Sequence, residues 1–455
     1  MTKIRLGDIG KVLMCKRVLK HQTSDTGEIP FFKISTFGGV PDTFISEELY
    51  EDFKTNYNHP KKGDVLISAA GTLGKTVIYD GKPSYFQDSN IVWIDNDESQ
   101  ILNKYLYYFY QTKPWQTTTG STIKRIYNND LRALKIEKLP LSTQHAITSV
   151  LSALDDKIEL NNRINEVLEA KAKLLYDYWF VQFEFPASGA SAPLSPLDGS
   201  RSPRNGGYKS SGGKMVYNKK LKREIPEGWE VKRFESFIKN TMSGNWGKER
   251  SEGNYTERIY CIRGADINGL NGVGEMNIPE RYILPKHLDK SLEANDFIIE
   301  ISGGSPTQST GRVALITEES FARFDAPLLC TNFCRAITLK NKKLSFNFYR
   351  EWQRAYDNGV LFQFEGKTSG IKNFLFDSFL ESYNMVEPPK DLIEIFYSLS
   401  TTIEKKKQTL LKQSQHLASL RDWLLPMLMN GQVGVERAYE IVDGELGMVA
   451  EPGES

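Results

Sequence analysis

Residues 147–179 read ITSVLSALDDKIELNNRINEVLEAKAKLLYDYW, and residues 392–424 read LIEIFYSLSTTIEKKKQTLLKQSQHLASLRDWL. In the first stretch, positions that favour apolar residues recur in alternating steps of four and three. Adding 245 to each position gives the same pattern in the second stretch, without insertion or deletion. A period of 3.5 residues is typical of a long helix that packs along another helix. The sequence therefore predicts two helices of about 40 residues, each roughly 60 Å long, which separate two larger segments.

The predicted seam between these helices is largely aliphatic. Its residues are Leu151, Leu154, Ile158, Leu168, Leu175, Leu399, Ile403, Leu410, Leu417 and Leu420. Asn161, Asn165, Lys406 and Gln413 interrupt the pattern, and polar seam residues can fix the register of a helix pair. The alternative is that these four residues face solvent where the helices separate.

Length and composition indicate a soluble protein of several domains. The chain has 455 residues, of which 40% are hydrophobic and 25% charged, and a length of this kind predicts two to four domains. Charged residues interrupt every apolar run in the first twenty positions, and no stretch of 18 apolar residues occurs. We therefore expect neither a signal peptide nor a membrane partner, and a cytoplasmic location.

The cysteines predict neither disulfides nor a metal site. Four cysteines in a chain of this length do not form a disulfide framework. Cys330 and Cys334 have no second Cys or His pair nearby in sequence to complete a tetrahedral set.

The small net charge of +1 hides a difference between regions. Residues 1–140 carry 19 basic and 16 acidic residues, and residues 214–385 carry 25 and 22, so each segment has a charge of +3. Residues 141–185 carry 4 basic and 7 acidic residues, and residues 431–455 carry 1 and 6. The difference favours a nucleic-acid partner only slightly, because ordinary solvated charge explains it equally well.

The two large segments share an order of short β-type runs. Asp64–Ser68, Thr76–Tyr79 and Ile91–Ile94 are predicted strands in the first segment, and Lys104–Tyr110 is a predicted helix. The predicted domains are a first β-rich module (1–140), a first long helix (141–185), a flexible linker (186–213), a second β-rich module (214–388), a second long helix (389–430) and an acidic, disordered tail (431–455). The fold class is α+β with an internal repeat.

One string resembles a phosphate-binding loop. Residues 69–76 read AAGTLGKT, but a β-type run follows them, whereas a true loop of this kind precedes a helix. A tight turn between strands is therefore favoured over a nucleotide site. We find no pair of histidines at ligand spacing and no other pattern that indicates catalysis, so the protein is not expected to be an enzyme.

Polar and basic loops recur at matched places in both modules. Arg and Lys can contact phosphates or guanine, and Asn and Gln can pair with adenine, so such loops can read DNA. The candidate DNA-binding residues are Lys16, Arg17, Lys20, Ser68, Thr72, Lys75, Thr118, Ser121, Lys124, Arg125, Ser243, Asn245, Trp246, Lys248, Arg263, Ser305, Gln308, Thr310, Arg312, Lys367, Ser369 and Lys372.

The alternation of two modules with two long helices resembles the specificity subunit of Type I restriction–modification systems. The strings that carry the resemblance include Leu6-Gly-Asp-Ile9, Gly71-Thr-Leu-Gly74, Trp179-Phe-Val-Gln-Phe-Glu-Phe-Pro186, Tyr208-Lys-Ser-Ser-Gly-Gly213, Ile225-Pro-Glu-Gly-Trp229 and Leu424-Leu-Pro426. Together they span residues 3–433, and the segments 187–204 and after 433 have no counterpart in the resemblance.

The resemblance implies a non-catalytic DNA reader. Each module would be a target recognition domain for one half of a bipartite, asymmetric site, and the antiparallel helices would set the gap between the halves. The implied partners are double-stranded DNA, two methyltransferase subunits that methylate adenine, and two motor–nuclease subunits. S-adenosylmethionine, ATP and magnesium would belong to those partner subunits, and this chain itself is expected to hold no cofactor.

Two other functions remain open from the sequence. One is a coiled-coil scaffold that binds only proteins. The other is a nucleotide-binding enzyme built on the 69–76 loop. Neither the recognised DNA sequence nor its gap length can be obtained from single loops.

Overall fold

The computed structural model describes residues 2–115, 125–186, 207–274, 276–303, 308–368 and 371–450. They form a mixture of helices and small sheets, which confirms the predicted α+β class. The chain divides into two compact units. The first comprises Met1–Ile158 and His416–Ser455, and the second comprises Glu159–Gln415.

The first unit contains the first module. Its strands are β1 (Lys3–Arg5), β2 (Gly10–Leu13), β3 (Ile29–Phe32), β4 (Phe44–Ile45), β5 (Val65–Ser68), β6 (Thr76–Ile78), β7 (Tyr85–Phe86), β8 (Ile91–Asn96) and β9 (Lys135–Glu137). Its helices are α1 (Leu6–Ile9), α2 (Glu47–Asn56), α3 (Asn103–Gln111), α4 (Asn128–Ala133) and the first half of α5 (Leu141–Tyr176).

The sheets of the first module are small and antiparallel except for one pairing. Their strand orders are β2-β8-β5-β6, β4-β3-β7 and β1-β9, and β3 pairs with β7 in parallel. Strand β5 is buried along its whole length between β8 and β6, which explains its continuous apolar run. The Ser46 hydroxyl begins α2 by accepting a hydrogen bond from the Leu49 amide at 3.3 Å, and Glu47 and Glu48 complement the dipole of its first turn.

The second unit contains the second module. Its strands are β10 (Met215–Asn218), β11 (Arg223–Pro226), β12 (Glu230–Arg233), β13 (Ile238–Ser243), β14 (Glu257–Ile262), β15 (Glu280–Ile283), β16 (Asp296–Glu300), β17 (Ser302–Gly303), β18 (Val313–Ile316), β19 (Leu328–Cys330), β20 (Cys334–Leu339), β21 (Glu365–Thr368), β22 (Ile371–Phe374) and β23 (Asn384–Glu387). Its helices are α6 (Phe234–Phe237), α7 (Ile267–Leu270), α8 (Glu318–Phe321), α9 (Ser345–Asp357), α10 (Phe376–Ser382) and the first part of α11 (Lys390–Met429).

The second module repeats the strand order of the first. Its sheets β13-β20-β16-β18, β15-β14-β19 and β12-β23 correspond to β2-β8-β5-β6, β4-β3-β7 and β1-β9. The parallel pairing also recurs, between β14 and β19. The second module adds a β10-β11 hairpin and a β17-β22-β21 sheet. One fold is therefore present twice in the described residues, although the sequences of the two modules match only in outline.

Helix α9 shows how apolar spacing builds the core of the second module. Phe348, Trp352 and Ala355 recur at intervals of four and three residues and are fully buried. The Trp352 indole N–H donates a hydrogen bond to the Gly311 carbonyl at 2.8 Å, so the polar atom of this large side chain is satisfied.

Helices α5 and α11 are antiparallel within each unit. In the first unit, Arg421 of α11 pairs with Asp155 of α5 at 2.8 Å. In the second unit, the Asn161 amide donates to the Ser414 hydroxyl at 3.4 Å. A higher number in one helix faces a lower number in the other, as antiparallel packing requires.

The predicted seam residues differ in burial. Those that are buried are Leu151, Leu154, Leu175, Leu410 and Leu417, and those that are half-buried are Ile158, Leu168, Leu399, Ile403 and Leu420. Of the polar interruptions, Asn161 and Asn165 are buried and Gln413 is half-buried. Lys406 is exposed, and the neighbouring Lys407 is buried instead. At this position the buried lysine therefore lies one residue later in the sequence than the apolar repeat predicts, and Lys406 faces solvent, as the alternative interpretation allowed.

Helix α5 ends before the predicted boundary at 185. The regular helix stops at Tyr176, one wider helical turn covers Asp177–Val181, and Phe183 has a left-handed φ of 62°. The aromatic side chains of this segment require that break, since Phe183 and Phe185 pack on Trp229.

Two other segments differ from their predicted disorder. Residues 207–213 of the predicted linker form a turn, in which the Tyr208 ring stacks on Phe185 at 4.7 Å, while residues 187–206 lie outside the described part. In the predicted disordered tail, helix α12 spans Val435–Ala450. Its Ala438 and Val442 are buried in the core of the first unit. The helix is therefore ordered by packing against apolar residues of other elements, which the composition of the tail alone does not reveal.

No helix among the described residues is long and apolar enough to cross a membrane.

Candidate nucleic-acid interface

The first basic loop precedes β3 and is exposed. Lys16, Arg17 and Lys20 all reach solvent. The Lys16 ammonium lies 4.8 Å from the centre of the Tyr57 ring, which is close enough for a cation–π contact. This contact places Lys16 beside the end of α2.

A cleft of about 500 Å³ opens next to this contact in the first module. Its basic and aromatic lining residues are Tyr50, Lys54, Tyr57, His59, Lys61, Lys62 and Tyr79, and Asp95 supplies its carboxylate. Three ammonium groups beside an exposed tyrosine suit the phosphates and bases of a nucleic acid.

The charges in the cleft are only partly neutralised. Lys61 lies 3.3 Å from Asp95 and Lys54 lies 3.7 Å from Glu51. In the described part of the chain, neither Lys16 nor Lys62 has a carboxylate within ion-pair distance. These two lysines are therefore free to meet a phosphate.

His59 is a structural residue of the cleft. Its ring nitrogens lie 2.9 Å and 3.0 Å from the carbonyl oxygens of Pro60 and Ser84. Burial lowers the pKa of His59, against the opposing effect of those two carbonyls. The ring is therefore held by the backbone and fixes the floor of the cleft.

Sequence reasoning did not single out Lys54, Tyr57, Lys61 or Lys62. They belong to α2 and the turn after it, which lack the Gly- and Ser-rich composition used to select loops. The available signal was the string Asn56-Tyr-Asn-His-Pro-Lys-Lys62, in which aromatic, amide and basic side chains alternate.

The 69–76 string is a β-hairpin turn. Strand β6 follows it directly and pairs antiparallel with β5, and Gly71 and Gly74 adopt φ values of 66° and 77°. The Trp115 ring packs on Gly74 where a side chain would otherwise stand. The interpretation as a tight turn is confirmed, because the helix that a phosphate-binding loop needs does not follow it.

The candidate residues around this turn have different roles. Thr72 and Lys75 are exposed. Ser68 is buried, and its hydroxyl bonds to the Thr72 carbonyl and accepts from the Lys75 amide, so it shapes the turn and cannot reach DNA in this conformation. Arg125 donates to the Ser89 carbonyl at 2.7 Å. Thr118, Ser121 and Lys124 lie outside the described residues.

In the second module, the loop after β13 presents an aromatic residue with cations. Trp246 is exposed, and the Arg281 guanidinium lies 4.5 Å from its ring centre. The Lys248 ammonium lies 4.7 Å from the centre of the Tyr255 ring. Ser243 is exposed, and Asn245 accepts a hydrogen bond from the Gly247 amide at 3.0 Å. This loop resembles the first-module cleft in combining aromatic rings with cations, although Lys248 also pairs with the exposed Glu252 at 3.3 Å and Arg281 with the exposed Glu249 at 3.6 Å.

Two arginines predicted to contact DNA are held in internal ion pairs. Arg312 makes a two-pronged pair with Glu300, at 2.7 Å and 2.9 Å, and both side chains are largely buried. Arg263 makes a similar pair with Asp266 at 2.8 Å. These arginines therefore fix turns of the second module in this structure, and their contact with DNA stays a prediction.

The remaining candidates belong to the β17-β22-β21 region. Thr310 is buried, and its amide donates to the Glu365 carboxylate at 2.8 Å. Lys372 pairs with the same carboxylate at 3.0 Å, and Gln308 is exposed. Ser305, Ser369 and the side chain of Lys367 lie outside the described part.

Metal binding and thiol reactivity depend on the arrangement and the burial of side chains in the described residues. No cluster of three or more His, Cys, Asp or Glu side chains there is arranged to hold a metal ion. Burial raises the pKa of the Cys261 and Cys330 thiols to about 12, so they are protonated at neutral pH and unreactive.

Comparison with known proteins identifies one family. Residues 1–170 match the family model of the Type I restriction modification DNA specificity domain. A putative type I restriction enzyme specificity subunit of Haemophilus influenzae is 54% identical over 180 residues, which are 39% of this chain and 46% of that relative. The chain thus spans about half the length of this relative.

Two further similarities extend over most of the chain. The Type I restriction enzyme MjaIX specificity subunit of Methanocaldococcus jannaschii is 25% identical over 388 residues, covering 82% of this chain and 78% of that protein. The crystal structure of the Type I restriction–modification S subunit of M. genitalium aligns with a TM-score of 0.50 at 15% identity, over 94% of this chain and 96% of that one. Residues 1–170 thus match the Type I restriction modification DNA specificity domain, and the resemblance of the chain to specificity subunits of Type I restriction–modification systems is confirmed.

Proposed function

We propose that the chain is the non-catalytic specificity subunit of a Type I restriction–modification system. Residues 1–140 and 214–388 each read one half of a bipartite, asymmetric DNA site. The observation that carries this proposal is the repetition of one set of sheets in both modules. Two copies of one fold with different surface side chains suit two half-sites of different sequence.

The proposed DNA-contacting surfaces are the two clusters that combine cations with aromatic rings. In the first module they are Lys16, Lys62 and Tyr57, and in the second they are Trp246 and Lys248. Ammonium groups on phosphates supply affinity, whereas the loops beside them supply base contacts.

A module exchange tests the reading of half-sites. The chain is co-expressed with a methyltransferase subunit of its system, and methylated adenines in the host DNA are mapped. We expect a split motif that requires this chain, and replacement of residues 214–388 by the matching module of a relative should change only one half of it. A soluble complex that methylates no defined motif would favour the protein-only scaffold.

Salt dependence tests the first-module cleft. Lys62→Ala removes one proposed phosphate contact, so the slope of log K against log salt concentration should become shallower by about 1. Titrations of target DNA with the assembled complex measure this slope. Lys104→Ala is the control, since Lys104 is exposed on α3 and does not line the cleft. Equal slopes for Lys62→Ala and the unmutated chain would remove the cleft from the interface.

We also propose that α5 carries a docking surface for a methyltransferase subunit. Leu160, Val167 and Leu174 are exposed at intervals of seven residues, so they form one apolar stripe along the helix. The positions 245 residues later are Lys405, Lys412 and Ser419, which are polar. The stripe is thus specific to the first helix.

The substitution Val167→Lys copies the residue at the repeat-related position. Placing a charge in an apolar contact should weaken binding of the methyltransferase subunit by about tenfold or more, as measured by titration of one subunit with the other. Val273→Lys is the matched control, because Val273 is equally exposed on the second module. Unchanged assembly of the Val167→Lys protein would exclude this stripe as the docking surface.

A further inference from the structure

A polar cavity of about 180 Å³ lies within the second unit. It is lined by residues at the end of α5, on β11, on α9 and on β23, and it is partly open to solvent. Five polar side chains that line it are Arg223, Asn347, Glu351, Arg354 and Asn384. It is separate from the surfaces proposed to contact DNA.

Asn347 is the unusual residue of this cavity. Its side chain has no exposed surface, and neither the oxygen nor the nitrogen of its carboxamide has a hydrogen-bond partner among the described residues. A buried amide without partners is costly, and such groups are rare in folded proteins. An occupant of the cavity that both accepts and donates a hydrogen bond would remove this cost.

The carboxylate in the cavity wall is already saturated. Glu351 accepts hydrogen bonds from the hydroxyls of Tyr176 and Tyr383, at 2.8 Å and 2.9 Å. Arg354 donates to both of its oxygens, at 3.0 Å and 2.6 Å. The negative charge of Glu351 is therefore neutralised within the wall.

Arg223 leaves the cavity with an uncompensated positive charge. Its guanidinium donates to the carbonyls of Val181 and Phe180, at 3.2 Å and 3.5 Å, and lies 4.9 Å from the Phe183 ring centre. No carboxylate of the described residues lies within ion-pair distance of it. Burial and the neighbouring Arg354 lower the pKa of Arg223, which is the mark of a desolvated cation that lacks an anion.

We propose that this cavity binds a small, proton-bearing oxyanion of the hydrogen-phosphate type. Its charged oxygens accept hydrogen bonds from Arg223 and from the Asn347 amide nitrogen, and its hydroxyl donates to the Asn347 oxygen. A volume of 180 Å³ equals the share of about six water molecules, which accommodates an ion of this size. The anion would connect β11 to α9, next to the segment after α5 whose Phe180 and Val181 carbonyls accept from Arg223.

The test uses the full chain in phosphate-free buffer at constant ionic strength. Calorimetric titration with inorganic phosphate should give saturable binding at one site, and phosphate should raise the melting temperature. Sulfate, which carries no proton at neutral pH, and chloride should bind more weakly. A nucleoside monophosphate distinguishes a free ion from a phosphate ester, because the added nucleoside is large for a cavity of about 180 Å³ and should weaken binding relative to inorganic phosphate.

Two substitutions assign the binding to these residues. Asn347→Leu removes the carboxamide and Arg223→Met removes the charge, and each should weaken phosphate binding by about tenfold or more. Lys219→Met removes an exposed charge outside the cavity and should leave the affinity unchanged. Asn347→Leu should melt no lower than the unmutated chain in phosphate-free buffer, because it removes an unpaired buried amide.

Three outcomes would overturn the proposal. They are absence of saturable binding in the folded chain, equal affinity for phosphate and chloride, and phosphate binding that survives both substitutions. If Asn347→Leu does not fold, Asn347→Asp replaces it, and its added negative charge should abolish binding. No DNA or partner subunit enters this test, so its result does not depend on the proposed DNA function.

Discussion

Glu169 of α5 joins two buried cations inside the second unit. Its carboxylate contacts the guanidinium of Arg350 on α9 and lies 2.9 Å from the ammonium of Lys407 on α11. The side chains of Arg350 and Lys407 are only 6% and 4% exposed. Glu169 is therefore the carboxylate that both buried cations share, with Glu404 a second and more distant partner of Lys407 at 3.9 Å, and Glu169 fixes the second module to both long helices.

The substitution Glu169→Gln should destabilise the protein by about 3 kcal/mol, since it leaves the buried Arg350 without its carboxylate and Lys407 with only the more distant Glu404. Urea unfolding of the full chain measures the change. Glu166→Gln is the control, because Glu166 lies one turn earlier on the exposed face of α5. Replacing the group together, with Glu169→Leu, Arg350→Met and Lys407→Met, should restore much of the loss. Equal stability of Glu169→Gln and the unmutated chain would show that the cluster contributes nothing.

The same carboxylate gives a pH dependence of known sign. Burial raises the pKa of Glu169, but Arg350 and Lys407 outweigh that effect and hold it below its ordinary value of 4.5. Because the folded pKa is depressed, this contribution to stability is fully present above about pH 4.5 and decreases as the pH falls towards the folded pKa. The stability difference between the unmutated chain and Glu169→Gln should therefore narrow below pH 4.5. A constant difference down to pH 3 would contradict the ion-pair explanation.

At the scale of elements, the packing of α5 against α11 includes a buried polar side chain that lowers the stability of the helix pair. Asn165 of α5 is only 3% exposed, and neither polar atom of its side chain has a partner among the described residues. Asn161 is also buried, but its amide nitrogen donates to Ser414. The two asparagines therefore allow a comparison on one helix between a buried amide without a partner, Asn165, and a buried amide with one hydrogen bond, Asn161.

Asn165→Leu should stabilise the helix pair by about 1 kcal/mol, because an apolar side chain replaces an unpaired buried amide. Asn161→Leu is the matched comparison and should gain less, since it loses the bond to Ser414. Urea midpoints of both variants give the measurement. Destabilisation by Asn165→Leu would indicate that its carboxamide is satisfied in solution.

The elements also show what the sequence could predict. The helix pair and the repeated strands follow from periodicity, which depends only on which residues are apolar. The period did not place the buried lysine, because a helix of 3.6 residues per turn drifts against a 3.5-residue repeat, and Lys407 rather than Lys406 is buried opposite Glu169. The lysine–tyrosine cleft was missed since α2, the turn after it and Lys16 come together only in the folded module.

Ion pairing within the module was another feature of the candidate site that the sequence did not reveal. Arg263 and Arg312 lie in polar loops, as DNA-contacting arginines do, and nothing local distinguishes the two cases. Their partners are a buried Asp266 three residues away and Glu300 on a neighbouring strand. Helix α12 was likewise hidden, because its apolar residues gain their burial from the core of the first unit.

At the scale of the whole molecule, two long helices alternate in sequence with two copies of one fold. We propose that the length of the α5–α11 pair sets the number of unread base pairs between the half-sites. Seven residues of helix span about 10.5 Å, and one base pair of DNA rises by about 3.4 Å. One added heptad should therefore lengthen the gap by about three base pairs.

The lengthened chain duplicates residues 161–167 of α5 together with residues 409–415 of α11, which keeps the antiparallel pairing of Asn161 with Ser414. Mapping of methylated adenines should show both half-sites unchanged and a gap longer by about three base pairs. The control adds seven Gly and Ser residues between Ala190 and Ser191, outside both helices, and should leave the gap as it was. An active lengthened chain with the original gap would contradict the proposal, because a spacer that determines distance cannot change length without moving what it separates.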